Sequence, residues 1–461
     1  QVEIHSILAE YELPYEFDES LESFAKKIPS IISKDEIKKR RDFRSICTFT
    51  IDPHDAKDFD DALSIQKLKN GNWEVGIHIA DVSHYIQDND ELDLEAKERA
   101  TSVYLVDRVV PMLPEVLSNQ LCSLRPKEEK LCFSTVFEIT ENAEVKEEWF
   151  GKTIINSDHR FTYEDAQKII EEKKGDYKDE ILTLNSLAKT IRSKRMKSGA
   201  FSFERSETKF NIDADGNPTS IYFKESLDAH KLIEEFMLLA NRKVAEFIGK
   251  QSLPFVYRIH DSPDPEKLDT LSLFIKRFGY TLQTDNKKTI ASSINKVLQQ
   301  IQGTQECNMI ETLAIRTMAK AIYTTENIGH YGLAFNHYTH FTSPIRRYPD
   351  VLVHRLLEHY LNKGKRLEIS GLENLCKHAS EMEIIASKAE RASIKYMQAK
   401  YMSKQIGKTF EGIISGVTDF GIFIEIDNTG CEGLIRMRDI PGDFYVYKES
   451  EYCIVGSRSN K

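Results

Sequence analysis

TIDPHDAKDFDDALSI, residues 50–65, is the stretch from which most of the remaining sequence can be interpreted. Within this stretch, five aspartates occupy a span of ten residues: Asp52, Asp55, Asp58, Asp60 and Asp61. Carboxylates this close repel one another, and ionising all of them in a partly buried site is costly unless cations share the site. Oxygen ligands suit Mg²⁺ or Mn²⁺, with Ca²⁺ as a further option. The stretch therefore predicts a hard-cation site.

The flanks of the aspartate cluster predict two buried strands joined by an acidic loop. Apolar residues alternate before the cluster and return after it: Cys47, Phe49, Ile51, Ala62, Leu63 and Ile65. An EF-hand does not fit, because the sixth position counted from Asp52 is Lys57 and the twelfth is Leu63. Pro53 argues against a helical diphosphate-binding motif. A solvated acidic loop is the remaining alternative.

Composition indicates a large globular protein without a membrane span. The 461 residues allow two or three domains, and no run of about 18 apolar residues occurs. Seven dispersed cysteines without a CxxC pair predict neither zinc nor a disulfide framework, so a cytoplasmic location is expected. The chain starts at Gln1, which predicts a fragment or a processed chain.

The net charge of −10 excludes non-specific polyanion binding by the whole surface. Nucleic-acid binding would need local basic surface, which a predicted long helix near 370–406 and the residues after it offer. Six basic residues and one acid lie between Ile384 and Lys408: Lys388, Arg391, Lys395, Lys400, Lys404, Lys408 and Glu390. A solvated helix face is the alternative interpretation.

The order of the predicted elements indicates an α+β fold. Strands dominate residues 46–86 and recur to about 156, with an Asn-Gly turn at 70–71 and an Asp-Gly turn at 215–216. Helices dominate afterwards, at 227–249 and near 264–278, 305–324, 349–363 and 370–406. We expect a lead-in segment at 1–45, a main domain at 46–406, and a partial OB-fold barrel at 407–461 with three or four strands.

Six stretches in order resemble the catalytic RNB domain of the ribonuclease II/ribonuclease R family, and the ribonuclease R branch is the nearer one. They are TIDPHDAKDFDDA (50–62), IADVSHYI (79–86), RATSVYLVDRVVPMLPEVLSNQLCSLRP (99–126), DAHKLIEEFMLLAN (228–241), YRIHD (257–261) and HFTSPIRRYPD (340–350). VTDFGIF and EGLIRM resemble the start of the OB-type RNA-binding domain that follows. The cold-shock-type domains that usually come first in this family are missing from the sequence.

The resemblance implies a processive hydrolase that degrades single-stranded RNA from the 3′ end to nucleoside 5′-monophosphates. Hydrolysis of a phosphodiester needs an activated water and neutralised phosphoryl oxygens, which two cations held by clustered carboxylates can supply. We expect two Mg²⁺ ions, with Mn²⁺ as the alternative, single-stranded RNA as the partner, and a monomer. A catalytically silent RNA-binding protein and a phosphoesterase for small substrates are the competing hypotheses.

The resemblance also implies which residues form the site. Asp52, Asp58, Asp60 and Asp61 match the four acids of the family, and Asp55 is extra to that set. Asp60 is assigned to activation chemistry, with Asp52 and Asp61 as direct ligands. Arg346 matches the arginine beside the scissile phosphate, with adjacent Arg347 as its competitor.

Aromatic and ribose-contacting positions complete the implied site. Tyr104 matches the tyrosine that clamps the terminal base, since stacking holds bases without reading sequence. Phe203 matches a phenylalanine on the other side of the bases, and Phe201 is the competitor. Tyr163 and Glu234 resemble residues that contact ribose hydroxyls, and Glu235 is equally plausible. Four histidines are assigned to structure rather than to a metal: His78, His84, His260 and His340.

Overall fold

The computed structural model describes residues 2–201, 207–284, 287–304, 306–368, 370–427, 429–448 and 453–459. The helices are α1 (Val2–Glu10), α2 (Glu19–Ala25), α3 (Lys34–Lys38), α4 (Val82–Tyr85), α5 (Glu91–Arg99), α6 (Tyr163–Glu172), α7 (Lys178–Lys197), α8 (Asp228–Gly249), α9 (Pro265–Ile275), α10 (Lys287–Gln300), α11 (Cys307–Thr317), α12 (Tyr348–Leu361) and α13 (Ser370–Ser403).

The strands are β1 (Arg41–Asp42), β2 (Thr48–Asp52), β3 (Asp61–Lys67), β4 (Trp73–Ala80), β5 (Val103–Tyr104), β6 (Val109–Val110), β7 (Glu129–Ile139), β8 (Val145–Asn156), β9 (His159–Thr162), β10 (Glu207–Ile212), β11 (Pro218–Lys224), β12 (Tyr257–Ile259), β13 (Ile322–Thr324), β14 (Gly412–Thr418), β15 (Gly421–Ile426), β16 (Glu432–Arg436), β17 (Tyr445–Lys448) and β18 (Cys453–Gly456). The mixture of helices and sheets confirms the α+β prediction.

A seven-stranded sheet in the order β1-β8-β7-β4-β3-β2-β9 organises the main body. β2, β3, β4, β7 and β8 are antiparallel neighbours, as the apolar alternation and the Asn-Gly turn predict. Because β2 ends at Asp52 and its antiparallel neighbour β3 begins at Asp61, both aspartates lie at one end of the sheet. The predicted order of strand, acidic loop and strand is confirmed.

Helices α8 and α12 pack on this sheet. The apolar period of α8 places a buried stripe against the strands. The main core includes Leu232 and Phe236 from α8, Val351 and Leu357 from α12, and Ile77 and Phe133 from the sheet. Helices α9, α10 and α11 have their own cluster, with Leu271, Ile294 and Ile310 among its buried members.

The segment predicted as a lead-in packs against the main domain. Leu21, Ala25 and Phe43 belong to the main core. Leu8 of α1 shares a second cluster with Ala389 and other residues of α13. Both ends of this body are therefore held by buried apolar contacts.

Several predicted elements differ from those observed. The helix predicted at 305–324 ends at Thr317, and Ile322–Thr324 instead pairs with β12 as strand β13. The long helix α13 ends at Ser403, so Lys404 and Lys408 lie beyond it. Helices α7 and α10 were not predicted, because their apolar residues are diluted by charged and polar ones.

The described residues after 411 form five short strands, where the sequence predicted three or four. β14, β15 and β16 form an antiparallel sheet, and β17 pairs with β18. The last two strands have four residues each, too short for their alternation to be recognised. Gln398 of α13 donates to the carbonyl of Gly430 over 2.8 Å, which joins this module to the main body.

No helix in the described part of the chain has the length and apolar character needed to cross a membrane.

Candidate active site

The acidic loop is held in an extended form by Ser123. Its Oγ donates to the carbonyl of Lys57 over 2.7 Å and accepts from the N–H of Phe59 over 3.0 Å. Phe59 is buried in the main core. Asp58 and Asp60, on either side of Phe59, lie near Arg346, whose charge lowers the pKa of both. The sequence therefore folds locally so that an apolar anchor fixes two acids.

The four predicted acids influence one another electrostatically. Burial raises the pKa of Asp52 to about 8, with a further contribution from Asp61. Burial also raises the pKa of Asp61 to about 7. The pKa of Asp60 lies well above its usual range, because the side chain is buried and Asp58 and Asp61 are near. Asp55 is exposed at the outside of the loop, apart from these four.

Arg346 is the cation that faces this cluster. Its Nε lies 3.7 Å from Oδ2 of Asp60, and its charge lowers the pKa of Asp58, Asp60 and Asp61 against the effect of burial. Nη2 donates to Oγ of Ser343 over 3.1 Å. The side chain remains 42% exposed, so the guanidinium has free surface toward a ligand.

Arg347, the competing arginine, faces the interior instead. Its Nη2 donates to Oδ1 of buried Asp350 over 2.8 Å, and this carboxylate also accepts from the N–H of Ser343. Asp350 raises the pKa of the Arg347 guanidinium despite its burial. The side chain of Arg346 therefore lies at the acids, whereas that of Arg347 lies in the core.

Tyr104 stands at the edge of the acid cluster. Strand β5 carries it next to Ser102, whose N–H donates to the carbonyl of Arg346 over 3.0 Å. Hydrogen bonding from the Tyr104 hydroxyl is one of the effects that lower the pKa of Asp58. The residue is 37% exposed, which leaves part of the ring open for stacking.

Tyr163 is the first residue of α6 and directly follows β9, the strand at one edge of the sheet. Burial raises the pKa of its hydroxyl, and the neighbouring Asp61 and Asp52 raise it further. Its ring stacks on the imidazole of His230 with centroids 4.0 Å apart and planes 9° apart.

The two glutamates of α8 have different surroundings. Glu235 is 1% exposed and forms a close ion pair with Arg195, at 2.5 Å from Nη2 to Oε1. Glu234 is 47% exposed and lies 3.4 Å from the same guanidinium. Glu234 also follows His230 by one helical turn, so the two share a face of the helix. Glu235 is therefore paired in the interior, whereas Glu234 lies half-exposed on the helix face of His230.

Phe203 lies outside the described residues. Phe201, its competitor, is half-buried, and its ring lies 5.5 Å from that of Tyr331. It packs against the separate cluster of α9, α10 and α11.

Sequence comparison identifies two modules in this fold. The profile of the RNB domain matches residues 40–363, and the profile of the S1 RNA binding domain matches residues 403–461. The chain belongs to the RNB-domain family. The resemblance predicted from six stretches, including its ribonuclease R branch, is confirmed.

Relatives of this RNB-family chain are named ribonuclease R. The protein of Aquifex aeolicus is 38% identical over 470 residues, covering 100% of this chain and 66% of that protein. The protein of Thermotoga maritima is 37% identical over 475 residues, covering 100% of this chain and 67% of that protein. The chain thus spans 66–67% of the length of these two relatives.

A solved structure shows the same fold. Mycoplasma genitalium RNase R in complex with ribose methylated single-stranded RNA matches with a TM-score of 0.94 at 32% identity. The match covers 100% of this chain and 73% of that one.

A hard cation fits the donor set of this RNB domain. Oδ2 of Asp52 is buried and has no hydrogen-bond partner among the described residues. The donors at the cluster are carboxylate oxygens, which Mg²⁺ and Mn²⁺ prefer. Within the described ranges, no three His, Cys, Asp or Glu side chains already converge into a complete ligand set.

Sequence reasoning missed Arg160 of β9. Its Nη2 donates to the carbonyls of Pro53 and His54, and its charge lowers the pKa of Asp52. The parallel pairing of β2 with β9, which sets Asp52 opposite Thr162, brings it there. Periodicity does not reveal such a pairing, because the two strands are remote in sequence. His230 was also missed, although its place one turn before Glu234 was a usable signal.

Proposed function

We propose that this chain is a processive exoribonuclease that hydrolyses single-stranded RNA from its 3′ end and releases nucleoside 5′-monophosphates. One observation carries the proposal: four clustered aspartates, of which Asp52 and Asp60 are buried, lie beside the partly exposed guanidinium of Arg346. The RNB and S1 profiles and the relatives named ribonuclease R support it.

Asp52, Asp58, Asp60 and Asp61 would hold two Mg²⁺ ions, with Mn²⁺ as the alternative. When bound, the cations supply an activated water and neutralise charge on the phosphoryl oxygens. Bound cations would offset the burial that raises the pKa values of these four aspartates, together with the repulsion that Asp52 and Asp60 experience from neighbouring carboxylates. We assign activation to Asp60 and direct ligation to Asp52 and Asp61.

Arg346 would contact the scissile phosphate and stabilise the charge that develops on it. Its link to Asp60 keeps the guanidinium at the acids. Tyr104 would stack on the terminal base, with Phe203 proposed on the other side of the bases. Tyr163 and Glu234 would contact ribose hydroxyls, which donate as well as accept and so separate RNA from DNA.

We propose a catalytic unit at 46–406 after the lead-in at 1–45, an OB-fold RNA-binding module at 407–461, a monomeric state and a cytoplasmic location. A catalytically silent RNA-binding protein is not favoured, because all four acid positions carry Asp.

The test is incubation of the protein with 5′-labelled single-stranded RNA or DNA, in Mg²⁺, Mn²⁺ or EDTA. We expect 5′-labelled RNA, and not DNA, to be shortened from the 3′ end to a short final oligonucleotide with few intermediates, with either cation and not with EDTA. Asp55→Asn should behave like the unaltered protein. Cation-independent cleavage, or equal degradation of DNA, would refute the proposal.

A further inference from the structure

His230 has an unusual position at the edge of the proposed site. It lies at the start of α8 and stacks face to face on Tyr163 at 4.0 Å. Tyr163 in turn lies near Asp52 and Asp61. The stacked pair therefore borders the acid cluster, and Glu234 follows one turn further along the same helix face.

The hydrogen bonds of His230 define where its proton is. The backbone N–H of Leu227 donates to Nδ1 over 3.2 Å, so Nδ1 is an acceptor and carries no proton. Burial lowers the pKa of the imidazole, and the nearby charge of Lys224 lowers it further. The ring is therefore neutral near pH 7, with its single proton on Nε2.

That proton has no acceptor among the described residues. Nε2 is buried and has no hydrogen-bond partner among the residues that the structure describes. Buried donors are almost always paired in folded proteins, and an unpaired donor destabilises the structure. A ligand that brings an acceptor to this donor can form the missing hydrogen bond.

The orientation of the imidazole is fixed from several directions. The Leu227 N–H holds one edge, and the Tyr163 ring covers one face. The ammonium of Lys224 lies 5.7 Å from the Tyr163 ring centroid, adding a positive charge beside the stacked pair. These contacts orient the imidazole, and an oriented donor favours discrimination between ligands that differ by one hydroxyl.

We propose that His230 is a specificity-determining residue, whose Nε2–H donates a hydrogen bond to a ribose hydroxyl of the bound RNA strand while its ring positions Tyr163. This inference rests on the proposed function, since it assigns a ribose hydroxyl as the ligand. Sugar recognition would then be shared by the His230 imidazole, the Tyr163 phenol and the Glu234 carboxylate.

Two substitutions separate the two roles of His230. His230→Phe keeps a flat ring against Tyr163 and removes the donor, whereas His230→Gln keeps a donor near Nε2 and removes the ring. Each is assayed on RNA oligonucleotides that carry one 2′-deoxy nucleotide at successive positions near the 3′ end. Asp55→Asn is the control, and thermal unfolding checks that every variant is folded.

We expect the effect of substituting His230 on kcat/KM to depend on whether one particular ribose 2′-hydroxyl is present. In the unaltered protein, one 2′-deoxy position should lower kcat/KM, and His230→Phe should reduce that penalty about tenfold, the size expected for one lost hydrogen bond. His230→Gln should restore much of the penalty. If His230→Phe lowers kcat/KM equally on every oligonucleotide, the residue has a purely structural role and the inference is wrong.

The same combinations of protein variant and oligonucleotide can be compared by their dissociation constants. Asp60→Asn, alone or with His230→Phe, is titrated with ribose and 2′-deoxy oligonucleotides. Absence of RNA hydrolysis by the unaltered protein would refute the proposed function, but a coupling in binding would still support ribose contact by His230. Hydrolysis without coupling in either assay would overturn only the inference about His230.

Discussion

The backbone N–H of Ile345 donates to Oδ1 of Asp60 over 2.9 Å, joining segments 285 residues apart. The other oxygen of this carboxylate, Oδ2, faces Nε of Arg346 at 3.7 Å. One buried side chain therefore holds both the acidic loop and the arginine that faces it. Such support is what keeps a catalytic group within a fraction of an ångström of its productive position.

Asp60→Asn should remove turnover and preserve RNA binding. Asparagine can still accept from the Ile345 N–H through its Oδ1, so the fold is expected to persist, but the negative charge is lost. We expect kcat to fall by about 10²–10³-fold or more, with an RNA dissociation constant close to that of the unaltered protein. Asp55→Asn is the matched control, and substantial remaining turnover in Asp60→Asn would contradict the assigned role.

The neighbouring arginines should respond differently to substitution. Arg346→Ala should lower kcat by about 10²–10³-fold and leave the melting temperature nearly unchanged. Arg347→Ala leaves the buried Asp350 side chain without its ion-pair partner, which should lower the free energy of unfolding by about 3–5 kcal/mol. Turnover and thermal unfolding are measured for both, and the reverse pattern would show that the two roles have been exchanged.

Tyr104→Ala should lengthen the last oligonucleotide that the protein fails to degrade. Stacking on one base contributes about 1–3 kcal/mol, so without the ring the shortest substrates dissociate before cleavage. Tyr104→Phe keeps the ring and should keep the original end product. It should also raise the pKa of Asp58, since a hydrogen bond that lowers this pKa is removed. An unchanged end product in Tyr104→Ala would count against a clamp.

Cation binding should strengthen with pH. Asp52 and Asp61 have pKa values raised to about 8 and about 7, above the ordinary 3.8, so the folded protein retains protons that the unfolded chain has released. In EDTA, their contribution to stability is present at low pH and is lost as pH rises through these values. Mg²⁺ replaces the protons, so the stabilisation by Mg²⁺ should grow over the same range.

Thermal unfolding with EDTA or Mg²⁺ tests this at several pH values above 6.5. Below 6.5, buried histidines such as His78, with a pKa lowered to about 3, act in the opposite direction. The double variant Asp52→Asn, Asp61→Asn should lose part of the pH dependence, while Asp60, whose pKa is also raised, retains the remainder. An Mg²⁺ stabilisation that is constant or falls with rising pH would contradict the assignment.

Local sequence patterns predicted the parts of the site that lie close together in the chain. The aspartates, their flanking strands and the Asp-Gly hairpin of β10 and β11 all follow from spacing of a few residues. Resemblance to the family added Arg346 and Tyr104, and the structure brings both side chains near the acids. The choice between Arg346 and Arg347 needed coordinates, because only the position of Asp350 separates them.

Contacts between distant segments could not be predicted. Arg160 reaches the acidic loop through the pairing of β2 with β9, and Ile322–Thr324 becomes a strand because Tyr257–Ile259 is available to pair with it. The role proposed for His230 depends on a nitrogen without a hydrogen-bond partner among the described residues, which only the placement of neighbouring donors and acceptors reveals. These features arise from tertiary packing, which single-sequence periodicity does not contain.

The most direct test of the central claim follows the fate of a label at the 3′ end of single-stranded RNA in the presence of Mg²⁺. If the acid cluster hydrolyses RNA from that end, the label should appear as nucleoside 5′-monophosphate from the earliest time, and Asp60→Asn should release none. If the label first appears in longer oligonucleotides, or if Asp60→Asn releases mononucleotide at the original rate, the account is contradicted.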